Sequence, residues 1–62
     1  MIKVGSKVLC RFYNTPERKF YGDYFNGIVL EIKLTKNKSY LVQRESLPDI
    51  WLHRKEIKKE IK

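Results

Sequence analysis

Sixty-two residues make a single domain, with no room for a second. Fourteen lysines and arginines against seven aspartates and glutamates give a formal charge of +7, an excess that favours polyanionic partners such as DNA and RNA. One cysteine excludes an internal disulfide, and one cysteine with one histidine excludes a Cys/His zinc site built from this chain alone.

Size is the next constraint. A chain this short buries only about 60% of the surface its unfolded form exposes, so its core is thin and each large apolar side chain counts toward folding. No stretch approaches the roughly 18 apolar residues of a membrane span. The start, "MIKVGSKVLC", lacks the apolar segment of a signal peptide. The expectation is an intracellular domain in a reducing compartment with no membrane partner.

Gly5-Ser6 opens the ordered part, predicted to run from about residue 4 to 57. "KVLCRFY" alternates as a strand, with Val8, Cys10 and Phe12 on one face and Lys7, Leu9 and Arg11 on the other. "NTPERKFYGD" carries Asn14, Pro16 and Gly22 and reads as a loop or a long hairpin tip. "FNGIVLEIKL" is a long β-branched strand in which Gly27 permits a bulge or a close backbone approach. "TKNKS" is a basic turn, "YLVQR" a third strand with Tyr40 and Val42 on one face, "ESLP" a turn and "DIWLH" a fourth strand. A single turn is expected near residues 54–56, then a short fifth strand around Ile57. The basic tail, 58–62, is expected to fray or to form a short C-terminal helix, since Ile57 and Ile61 suit either geometry.

Short strands at roughly ten-residue spacing predict an all-β fold, a small five-stranded SH3-like barrel that closes on itself and so protects its edges. Catalytic chemistry finds no footing. Gly5, Gly22 and Gly27 are scattered and form no phosphate loop, the carboxylates stand singly among lysines, and Cys10 lies mid-strand on the apolar face. No enzyme and no cofactor are predicted.

"FYGDYFNGIVLEI" places four aromatic side chains within six residues. Together "VGSKVLCRF", "YFNGIVLEI", "YLVQ" and "IWLHRKEI" resemble the Tudor and chromo-barrel domains of the Royal superfamily over about Val4 to Ile57. The resemblance implies a non-enzymatic, nuclear chromatin module, monomeric and part of a larger chain, contacting DNA or nucleosomes or a histone-type tail. Such domains hold a methylated ammonium in a cage of aromatic faces, where ring quadrupoles attract a weakly hydrated cation. Carried over, Phe12 and Phe25 or Tyr24 are the matching walls; Tyr13, Tyr21 and Trp51 are further cage candidates, with Asp23, Glu45 or Asp49 at the rim. The region after the third strand, where the family usually supplies more rings, reads "QRES", and Arg44 would bring a cation to a cation site.

The plain alternative has Phe20 and Phe25 plugging the barrel end and Trp51 serving as packing. A second function class follows from charge. Lys33, Lys36, Lys38 and Arg44, with Arg54, Lys55, Lys58 and Lys59, would contact phosphates while rings stack on bases. "HRKEIKK" is in this respect similar to the basic closing strand of retroviral integrase C-terminal domains. Because histone tails are themselves positive, a +7 domain repels them unless its pocket is locally acidic, which favours nucleic acid. A protein-interaction domain of a larger polypeptide is the third alternative.

Overall fold

A computed structural model describes residues 2–36 and 38–61. Five strands form one antiparallel sheet: β1 (Lys7–Asn14), β2 (Lys19–Lys33), β3 (Ser39–Arg44), β4 (Leu47–His53) and β5 (Ile57–Ile61), ordered β4-β3-β2-β1-β5. One 3-10 turn, Arg54–Glu56, links β4 to β5, and no α-helix occurs among the described residues. The fold is the small all-β, SH3-like barrel that the strand spacing predicts.

Alternation builds the core. Val8 and Cys10 from β1, Val29 from β2, Tyr40 and Val42 from β3, Leu52 from β4 and Ile57 from β5 are buried, and Phe12, Phe25, Ile32 and Ile50 pack against them half-covered. The barrel depends on the fifteen-residue β2, which pairs with β1 through its first part and with β3 through its last. The two ladders overlap at Gly27, opposite Val8 on one side and Arg44 on the other. A Cβ there would overlap Val42 Cγ1 and lie 2.9 Å from the Gln43 carbonyl oxygen. The close approach anticipated at Gly27 is therefore real, while the register breaks fall elsewhere.

One break lies between Cys10 and Phe12, whose partners jump from Phe25 to Tyr21. Gly22 absorbs it with φ 74, and the Arg11 guanidinium Nε donates to the Gly22 carbonyl at 2.9 Å. Another lies on β5, where Leu9 pairs with Lys59 and Cys10 with Ile57, so that Lys58 is the extra residue of a bulge.

Of the loop and the long hairpin tip left open at Asn14 to Asp23, the hairpin is the one observed, with a shorter tip: only Thr15–Arg18 turn, and Lys19 onward is already β2. The turn is set by Asn14 Oδ1, which accepts from the Glu17 N–H at 3.2 Å, and by Arg18, which takes the left-handed conformation at φ 54. The expectations for the tail and for where order begins need correction. The tail neither frays nor turns helical, because β5 runs to Ile61 along the free edge of β1. Order also begins before residue 4: Ile2 packs on the core, and Ser6 is buried with its hydroxyl accepting from the Lys3 N–H and donating to Glu60 Oε2. Asn37 and Lys62, in the basic turn and tail, lie outside the described residues.

Candidate functional site

The largest gathering of predicted contact residues lies at one end of the barrel. Tyr13 and Thr15 from the β1 end, Lys36 and Lys38 from the β2–β3 turn, and His53, Arg54, Lys55 and Glu56 from the 3-10 segment line a cleft of about 440 Å³. Sequence distance conceals this convergence; the antiparallel order produces it.

Glu56 is the strut of the cleft. Its Oε2 accepts from the Tyr13 N–H and its Oε1 from the His53 N–H, both at 3.1 Å, tying the 3-10 turn to the end of β1. Charge-assisted bonds of this kind are about twice as strong as neutral ones. Arg54 closes the turn by donating from Nη1 to the Ile57 carbonyl at 2.8 Å. Lys55 stands over the Tyr13 ring at 4.4 Å from its centroid. The one carboxylate lining the cleft thus serves the backbone, and Lys36, Lys38, Arg54 and Lys55 face a shared space. Lys19 forms an ion pair with Glu17 at 3.1 Å, outside the cleft.

The cage candidates divide into separate groups. Phe12 stacks on Tyr21 (5.6 Å between centroids, 18° between planes) and tilts against Phe25 at 5.1 Å and 39°. Rings at these separations are in offset van der Waals contact, which leaves no slot between them for an ammonium group. Tyr13 meets Phe20 edge to face at 4.9 Å. Tyr24 carries Arg11 at 5.3 Å and Lys58 at 5.8 Å from its ring centroid. Trp51 lies on the outer side of β4 opposite Leu41, with Lys33 4.7 Å from its centroid. Tyr13, Tyr24 and Trp51 thus each have at least one of the chain's own cations beside the ring.

The rim candidates do not join the cleft. Asp23 sits in the irregular part of β2 and Asp49 on β4, both exposed, while Glu45 lines a second depression of about 610 Å³ with Lys7, Asn26 and Arg44. Arg44 is committed elsewhere, donating from Nε and Nη2 to the Pro48 carbonyl at 3.0 and 2.9 Å. Lys58 and Lys59 are exposed on β5. Sequence reasoning missed Thr15, His53 and Glu56 as cleft residues. It also left Arg11 unassigned, although alternation already placed Arg11 on the outer face beside the tyrosines.

Compared with protein-family models, curated proteins and solved structures, the chain matches none. Among the described residues no helix is long and apolar enough to cross a membrane.

Proposed function

We propose that the protein is a non-catalytic nucleic-acid-binding module that takes the phosphate backbone into the cleft between the β1–β2 turn, the β2–β3 turn and the 3-10 segment. The observation carrying this reading is the convergence of Lys36, Lys38, Arg54 and Lys55 beside the Tyr13 ring, with the one local carboxylate engaged by backbone N–H groups. Four cations lining one cleft, with no carboxylate partner in it beyond the engaged Glu56 among the described residues, repel one another, and a polyanion relieves that repulsion while releasing its own counterions.

The chromatin role implied by the Tudor-like resemblance enters on the same terms, through the DNA of a nucleosome. The methylated-tail role draws less support, because Phe12 packs directly against Tyr21 and Phe25, and the chain's own cations beside Tyr13, Tyr24 and Trp51 would repel a second cation, though not a neutral base. An NMR titration with a short oligonucleotide tests the reading. Amide shifts are expected at Tyr13, Lys36, Lys38 and Arg54–Glu56, and shifts confined to the Phe12–Tyr21–Phe25 side on adding a trimethyl-lysine peptide would replace it with the reader function.

A further inference from the structure

The outer face of β1 extends the cleft into a track. Alternation puts Lys7, Leu9, Arg11 and Tyr13 on this face. Lys59 lies opposite Leu9, the bulge residue Lys58 stands beside Tyr24, and Phe20 lies opposite Tyr13. Arg11 joins the two sides: its Nε is fixed by the Gly22 carbonyl and its guanidinium lies against Tyr24. Arg11 and Tyr13, one from each of the two cation–ring pairs, are two residues apart on β1, about 6.7 Å along the strand.

The geometry points to single-stranded nucleic acid as the preferred ligand, laid along β1 so that Lys55 and the Arg11–Lys58 pair take successive phosphates while Tyr13 and Tyr24 offer surfaces to unpaired bases. This rests on the nucleic-acid reading above and specifies its substrate class. Tyr24 is 47% exposed, and its hydroxyl is held below the ordinary phenol pKa, first by a hydrogen bond from Arg11 and then by the charge of Lys58. Positive potential and an accessible ring therefore coincide at one point. A duplex cannot use the ring, since its bases are already stacked and paired.

Fluorescence anisotropy compares a labelled oligothymidylate of about a dozen nucleotides with the duplex it forms with oligoadenylate. The single strand is expected to bind more tightly. Tyr24→Leu should weaken single-strand binding by roughly 5- to 100-fold without changing duplex affinity, and Tyr24→Phe should retain it. Lys58→Gln, on an exposed bulge, should lower the single-strand salt slope by about 0.7. Duplex binding as tight as single-strand binding, or an unaltered single-strand affinity in Tyr24→Leu, overturns the inference while leaving the cleft reading in place. Failure of both oligonucleotides to bind overturns both.

Discussion

Replacing Glu56 with glutamine should move stability and binding in opposite directions. The wild-type carboxylate accepts two backbone N–H bonds at 3.1 Å, from Tyr13 and His53. A glutamine retains one acceptor and turns an NH₂ group toward the other N–H. Bonds to charged groups contribute about 1.5–3 kcal/mol each, and the half-buried position of Glu56 favours the lower end, so the loss should be roughly 2–3 kcal/mol. A domain of this size loses about 4–8 °C of Tm per kcal/mol, which predicts a fall of roughly 10–20 °C in a circular-dichroism melt. Below that transition the variant should bind oligonucleotide about two- to fivefold more tightly, because a negative charge has left the cleft. An unchanged Tm would refute the strut, and weaker binding by the folded variant would refute the polyanion cleft.

Other perturbations probe the remaining parts. Gly27→Ala should destabilise by about 1–3 kcal/mol or prevent folding, since its Cβ overlaps Val42 across the β2–β3 ladder; chemical denaturation measures this. Burial, then the charge of Glu56, pushes the Cys10 thiol from its ordinary 9.0 up to about 11. The folded state therefore holds that proton more tightly than the unfolded chain, and its contribution to stability, complete below pH 9, is lost as pH rises toward 11. Denaturation curves of wild type should fall more steeply over that window than those of Cys10→Ala, and parallel curves would contradict the assignment. Arg18→Gly at the left-handed turn position should leave Tm unchanged or raise it, as the steric cost of roughly 1 kcal/mol for φ 54 is removed.

The fold was legible where side-chain alternation is strong. Val8, Cys10 and Phe12, like Tyr40 and Val42, announce their inward face directly, and the long apolar β2 could only be a strand. The tail was not legible, because Ile57 and Ile61 satisfy a helix and a strand equally well. What decides is the free edge of β1, a tertiary fact. Lys19 to Asp23 left loop and hairpin tip both open because Gly22 and Asp23 suggest a turn, whereas Gly22 absorbs a bulge inside a continuing strand. The cationic residues were identifiable from charge, whereas their meeting with Tyr13 required the sheet order. The role of Glu56 could not be read from sequence, since a carboxylate among lysines looks like an ion-pair partner and instead accepts from two backbone donors.

Counterion release gives the most direct test of the phosphate-binding cleft. Measured over a range of salt concentrations, log K for an oligonucleotide should fall linearly with log salt, with a slope between about −2 and −4.5 for three to five phosphates contacted. The slope should become shallower by roughly 0.7–0.9 when Lys36 or Lys55 is changed to glutamine. An affinity indifferent to salt would contradict the account.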